Sequence, residues 1–231
     1  MTSIIQTPTP NLNTSIEFYE KLNFKILSKS PTIVTDGKIL IEINPDRLAR
    51  AGMKLYRESW DLTVSKLEQI TEVHHTKEGY LFGDGTGTWV YLIENQAPAA
   101  ANAFKVKENF GILGNAAGLS LESSDMNYAA KIWQILGFRK TAGDFSQGWI
   151  SFENNDGMTV SLMKPGSCPH LFFNPSLSYF NGKEENPKVI SKIRKLSIPI
   201  TEEITVFNEE EIVDNIIIRD PGGLGFFIFN D

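Results

Sequence analysis

The sequence predicts an α+β protein built from four βαβββ units paired into two domains, and two observations carry that prediction. A pattern running from Asn11 to Phe24 recurs, with the same internal spacing and no gaps, from Asp125 to Phe138. In each copy a capping residue, Asn11 or Asp125, opens a helix, and apolar residues follow at helical spacing. Asn23 or Gly137 then ends it before a strand that starts with Phe. The second observation is a set of turns, Asp36-Gly37, Asp84-Gly85, Asp156-Gly157 and Pro221-Gly222-Gly223, each placed directly before a short apolar run. Asp-Gly between alternating segments is a hairpin signal, because glycine reaches positive φ at little steric cost. Four such turns close four units, and a pattern that repeats halfway along the chain makes two domains of them.

Unit one reads as an extended segment to Pro10, a helix with Leu12, Ile16, Tyr19 and Leu22 on one face, and strands at Phe24–Ser30, Thr32–Thr35 and Lys38–Asn44. In unit two the strand is Met53–Glu58, the helix Trp60–Ile70, and the later strands Glu72–His75, Tyr80–Phe82 and Thr88–Glu94. Unit three repeats unit one: Gly118–Glu122, a helix with Met126, Ala129, Trp133 and Leu136, then Phe138–Ala142, Trp149–Glu153 and Met158–Lys164. Unit four opens with His170–Asn174, starts its helix at Pro187, and continues with Glu202–Phe207, Asp214–Arg219 and Leu224–Asn230. The expected domains are residues 1–95 and 111–231. Residues 96–110, with their Ala-Pro-Ala-Ala-Ala run, are the linker and could form a short helix.

With 41% hydrophobic and 22% charged residues, the composition is that of a folded globular protein rather than a disordered one. No apolar run approaches the roughly 20 residues of a membrane span, and no signal-peptide layout opens the chain, so a cytoplasmic protein is expected. The net charge of -6, without a basic cluster, argues against nucleic-acid or membrane partners and for a small-molecule ligand. A homodimer is compatible with the sequence. Cys168 is the only cysteine, which rules out an intrachain disulfide and a thiolate cluster within one chain.

The paired βαβββ units, the helix ending Phe18-Tyr19-Glu-Lys-Leu-Asn-Phe24, and the closing Arg219-Asp220-Pro221-Gly222-Gly223 resemble the vicinal oxygen chelate superfamily in a tandem two-domain form. That superfamily contains glyoxalases, bleomycin-resistance proteins, fosfomycin-resistance enzymes and extradiol dioxygenases. The resemblance implies sheets curled around clefts, with metal ligands (His, Gln or Glu) on the first and last strand of each unit. Carried onto this chain, those positions fall at Ile4 or Ile5, Glu42, Gly52 or Met53, and Tyr91 in the first domain. In the second they fall at Gly118 or Leu119, Ser161, His170 and Phe227. An extradiol dioxygenase would need two His and one Glu together in the second domain, whereas the whole chain has three His.

Glu42, inside the aliphatic run Ile39–Ile43, is either a cleft carboxylate that touches a ligand or half of an ion pair at a strand edge. His170 is a cleft residue or an ordinary hydrogen-bonded histidine. Trp89 and Tyr91 share one face of a strand and Trp149 lies on another, suiting a flat apolar ligand or plain core packing. The leading expectation is therefore a glyoxalase/bleomycin-resistance-like protein that binds a small, partly aromatic molecule through Glu42, Trp89, Tyr91, Trp149 and His170. No cofactor, no metal and no identifiable catalytic residue belong to this reading. The alternatives are a lyase or extradiol dioxygenase with a divalent metal, and a structural or partner-binding module.

Overall fold

The computed structural model describes residues 1–105 and 108–230. Unit one comprises β1 (Thr2–Pro8), α1 (Leu12–Lys21), β2 (Lys25–Lys29), β3 (Thr32–Thr35) and β4 (Leu40–Asn44). Unit two comprises β5 (Gly52–Tyr56), α2 (Asp61–Leu67), β6 (His74–Thr76), β7 (Gly79–Gly83) and β8 (Trp89–Ile93), followed by the short helix α3 (Ala99–Asn102). Unit three comprises β9 (Ala116–Glu122), α4 (Met126–Ile135), β10 (Arg139–Asp144), β11 (Trp149–Glu153) and β12 (Thr159–Met163). Unit four comprises β13 (Ser176–Phe180), α5 (Gly182–Lys195), β14 (Ile200–Ile204), β15 (Asn215–Arg219) and β16 (Gly225–Phe229).

Both helices of the repeat begin as their caps dictate. The Asn11 side chain accepts from Thr14 N at 3.1 Å and Asp125 accepts from Tyr128 N at 2.9 Å, contacts worth about 1 kcal/mol each. Each then ends in the left-handed conformation expected of a C-terminal cap, at Asn23 (φ 61°) and Gly137 (φ 99°). Their buried faces, Tyr19 and Leu22 in one and Trp133 and Leu136 in the other, meet in a single apolar core that joins the two halves.

Units one and two form an 8-stranded sheet ordered β2-β3-β4-β1-β5-β8-β7-β6, and units three and four repeat that order strand for strand in a second sheet. In each, the first strands of the two units pair antiparallel at the centre, β1 with β5 and β9 with β13, while each last strand runs parallel beside its own first strand. The expected α+β class and pairing of four βαβββ units into two domains is the observed architecture.

The four turns also join the halves. Asp36 Oδ2 accepts from the Tyr179 hydroxyl at 2.9 Å and Asp84 Oδ2 from Trp133 Nε1 at 3.2 Å. Asp156 Oδ2 accepts from Ser3 N at 2.9 Å, and Asp220 Oδ2 from the hydroxyls of Tyr19 at 2.9 Å and Thr7 at 2.7 Å. Every one of these contacts crosses from one sheet's half to the other. The approach is close enough that a methyl added at Gly222 would overlap the Pro8 carbonyl.

Unit four departs from expectation at two points. Its first strand is Ser176–Phe180, not His170–Asn174, which forms irregular backbone before it. Its helix begins at Gly182, and Pro187 lies inside it. The buried Asn186 holds the turn before the proline: its amide donates to Asp214 O at 2.6 Å and its carbonyl accepts from Asn181 Nδ2 at 2.9 Å. Within the expected linker, α3 packs Ala101 against Ile4 and Leu40 of the first sheet, and Val106 and Lys107 lie outside the described residues. No helix among the described residues is long and apolar enough to cross a membrane.

Candidate functional site

The register of the central strands decides which side chains face each cleft, because a slip of one residue moves a whole strand to the other face. In the first sheet Gln6 pairs with Glu42, Lys54 with Tyr91, and Ile4 with Lys54. The face they share therefore presents Gln6, Glu42, Lys54 and Tyr91 at its centre. Ile5 and Met53, two of the expected ligand positions, belong to the core on the opposite side, and Gly52 pairs with Gln6 without a side chain to offer. In the second sheet Ser120 pairs with Ser161, Ser178 with Phe227, and Ser178 with Gly118. The matching quartet is Ser120, Ser161, Ser178 and Phe227, so Leu119 faces the core and His170 is replaced by Ser178.

In the first cleft the ammonium of Lys54 lies 2.6 Å from Glu42 Oε1, with side-chain exposures of 12% and 6%. Glu42 is thus an ion-paired residue, but on β4 in the interior of the sheet rather than at its edge. Its other oxygen, Oε2, is buried without a hydrogen-bond partner among the described residues. Burial, and next the Glu42 charge, push the Tyr56 phenol well up, so it stays neutral beside the pair.

Gln6 donates to Arg50 O at 2.8 Å and accepts from Asn44 Nδ2 at 2.9 Å, while the Tyr91 hydroxyl accepts from Arg50 N at 3.3 Å. These bonds fix the 46–50 loop over the cleft. The result is a cavity of about 420 Å³ whose walls include Lys54, Trp89, Tyr91, Arg50 and Leu81. That volume is within the usual range for small-molecule sites.

The second cleft holds a cavity of about 410 Å³, lined by the three serines of its quartet with Ser151, Trp149, Met163, Cys168 and Phe180. Trp149 is 41% exposed and stands at its wall. His170 is half-buried near that domain's cleft face, its ring 5.2 Å from Phe227 and 5.1 Å from Phe229 between centroids, with Nδ1 2.7 Å from Leu171 O. Of the expected residues, Trp89 and Tyr91 line the first cavity and Trp149 the second, whereas Glu42 lies beneath the first cavity, paired to Lys54, and His170 lies outside the lining of the second, against Phe227 and Phe229. Sequence reasoning missed Gln6, Lys54, Ser120 and Ser178. The signal for Lys54 was present, since a lone lysine inside the apolar strand Gly52–Tyr56 is as conspicuous as Glu42 inside β4.

A metal centre needs several convergent anionic or imidazole donors. Three hydroxyls and a phenyl ring in the second quartet do not meet that need. In the first, the lysine ammonium takes up the one carboxylate. Among the described residues no three His, Cys, Asp or Glu side chains come together in a group that could hold a metal ion. The residues present thus do not fit the divalent metal of the enzyme alternatives.

Two 8-stranded sheets of paired βαβββ units, each with a cavity on the face away from the shared core, define a tandem two-domain fold. No family model matches the chain, and no curated protein matches it in sequence. Solved structures do. A catechol 2,3-dioxygenase is 13% identical with a TM-score of 0.54, covering 98% of this chain and 86% of the other. The 2,3-dioxygenase LapB from Pseudomonas sp. KL28 is 14% identical with a TM-score of 0.55 and coverages of 97% and 89%. A mutant of homoprotocatechuate 2,3-dioxygenase from Brevibacterium fuscum is 14% identical with a TM-score of 0.57 and coverages of 100% and 71%. The chain shares the fold of these dioxygenases over nearly its whole length.

Proposed function

We propose that the protein binds a small oxygen-bearing aromatic molecule in the cleft of its first domain, without a catalytic metal. The observation that carries this reading is the Lys54–Glu42 pair at a cleft centre where the fold family's enzymes place metal ligands. Lysine has three N–H donors, and among the described residues Lys54 uses one, on Glu42. The remaining donors suit a phenolic or carboxylate oxygen, and Trp89 and Tyr91 offer flat walls to its ring. The names of the structural neighbours, which act on catechol and homoprotocatechuate, support the same ligand class.

The extradiol dioxygenase reading draws more support from that structural likeness than the glyoxalase or bleomycin-resistance reading does. Against it stands the donor chemistry of Ser120, Ser161, Ser178 and Phe227, which offers iron neither imidazole nor carboxylate.

Titration of the full chain with phenol, benzoate and benzylamine, followed by tryptophan fluorescence, tests the proposal. Phenol or benzoate should saturate the Trp89 signal, and Lys54→Met should weaken that binding tenfold or more while Lys54→Arg weakens it less. Preferential binding of benzylamine, or indifference to Lys54→Met, would contradict the assignment.

A further inference from the structure

A third cavity, of about 360 Å³, lies where the two halves meet, and among the described residues it shares only Ala117 with the cavities of the two clefts. One side of it is formed by the ends of β1 and β4 with α3, the other by the start of β9 and the turn at Asp156-Gly157. The space exists because the halves differ there. In the first, Ala101 of α3 packs over Ile4 and Leu40. The strand registers put Gly118 and Thr159 at the equivalent places in the second, and these smaller residues leave room beside α3.

The lining carries two charged side chains among the described residues, Lys38 from the first half and Asp156 from the second. Neither forms an ion pair with the other or with any other described residue. Lys38 is half-buried, and its Nζ donates to Asn115 Oδ1 at 2.5 Å, which leaves further N–H donors for a ligand. Asp156 departs from the repeat. In the other turns the aspartate holds its own backbone: Asp36 Oδ1 accepts from Ile39 N at 2.9 Å, Asp84 Oδ1 from Thr86 N at 2.9 Å and Asp220 Oδ1 from Leu224 N at 2.8 Å. In this turn Asn154 does so instead, its Oδ1 accepting from Asp156 N at 2.9 Å and Met158 N at 3.0 Å. The Asp156 carboxylate is thereby released from shaping the turn. Its Oδ2 accepts from Ser3 N at 2.9 Å, and its Oδ1 has no partner among the described residues.

We propose that the cavity between the halves binds a free aliphatic α-amino acid, its carboxylate on Lys38 and its ammonium on Asp156. A ligand of single charge would satisfy one of these groups and confront the other with its own sign, whereas a zwitterion satisfies both. Ile39, Leu40 and Met158, all buried, give the ligand's side chain an apolar wall. The volume is near the lower end of the range for small-molecule sites, which suits a ligand of this size. Because the contacts come from both halves, occupancy ties them together and raises the stability of the folded chain.

Calorimetric titration of the full chain with L-leucine, isocaproate and isoamylamine tests the proposal, since the second compound is leucine without its ammonium and the third is leucine without its carboxylate. Leucine should bind saturably and each analogue about tenfold or more weakly. Lys38→Met and Asp156→Asn should each weaken leucine about tenfold, the asparagine keeping an acceptor for Ser3 N. If either variant fails to fold, the comparison of the three compounds on the wild type decides by itself. An aliphatic ligand keeps this test apart from that of the first cleft, and excess benzoate should leave the leucine titration unchanged. No saturable heat with leucine, an analogue that binds as tightly, an unchanged affinity in either folded variant, or displacement by benzoate would overturn the proposal.

Discussion

Tyr19 and Trp133 hold the same position in the internal repeat, and each reaches across the molecule to a buried turn aspartate of the other half, Asp220 at 2.9 Å and Asp84 at 3.2 Å. The aspartates that shape the hairpin turns therefore also clamp the halves together. The turn residue satisfies its own backbone with one oxygen and the partner half with the other: Asp220 Oδ1 accepts from Leu224 N at 2.8 Å while Oδ2 faces Tyr19 and Thr7.

Removing these hydroxyls should cost unequal amounts. Asp36 Oδ2 has Tyr179 as its side-chain partner, whereas Asp220 Oδ2 keeps Thr7 when Tyr19 is lost. Tyr179→Phe should destabilise the fold by about 2–3 kcal/mol, and Tyr19→Phe by about 1 kcal/mol, since a buried charged acceptor left without a donor costs more than one left with a partner. Urea unfolding of both variants measures the difference, and equal losses would contradict the account of the interface.

The interface should also respond to pH. Burial raises the Asp84 carboxyl from 3.8 to about 6, against the lowering effect of hydrogen bonds from Thr86, Thr88 and Trp133. Burial raises Asp220 as well. Between pH 4 and 6 the folded Asp84 keeps a proton that the unfolded chain has released, so stability falls as pH rises through that window and is level above it. The contribution is roughly 3 kcal/mol. Asp84→Asn should flatten part of this slope whatever its absolute stability, as thermal melts across pH 4 to 7.5 would record.

For Lys54 and Glu42 the sign of the coupling is the informative quantity. Lys54→Met leaves a buried carboxylate without its cation and should cost about 3–5 kcal/mol, while Lys54→Met/Glu42→Gln should recover a large part of that loss. A double-mutant cycle with additive losses would mean that the pair is not coupled and would remove the basis for a pre-formed ammonium at the cleft centre.

Much of this fold was legible because its signals are local. The caps Asn11 and Asp125, the left-handed Asn23 and Gly137 and the Asp-Gly turns each act within a few residues. Strand alternation placed Trp89, Tyr91 and Trp149 on cleft faces. Register was not legible, because pairing Glu42 with Gln6 rather than Ile5 is settled by contacts between distant segments. The same limit hid β13: His170–Asn174 carries aromatic residues like a strand, yet Ser176–Phe180 is the segment that completes the ladder with β9 and β16. Pro187 marked a helix start by local rules, and the Asn186 contacts to Asp214 and Ile228 carry the helix one turn further back. Lys54 escaped notice because the family's ligand types directed attention to His, Gln and Glu.

Metal retention tests the central claim most directly, namely that the two cleft quartets present an ion pair and hydroxyls rather than a set of metal donors. Wild-type protein and Gln6→His/Lys54→His, which would set two imidazoles beside Glu42, are reconstituted anaerobically with Fe(II), desalted and subjected to elemental analysis. The account predicts no stoichiometric iron on the wild type and close to one iron per chain on the double variant. One tightly held iron per chain on the wild type would contradict it and make the extradiol dioxygenase reading the better one.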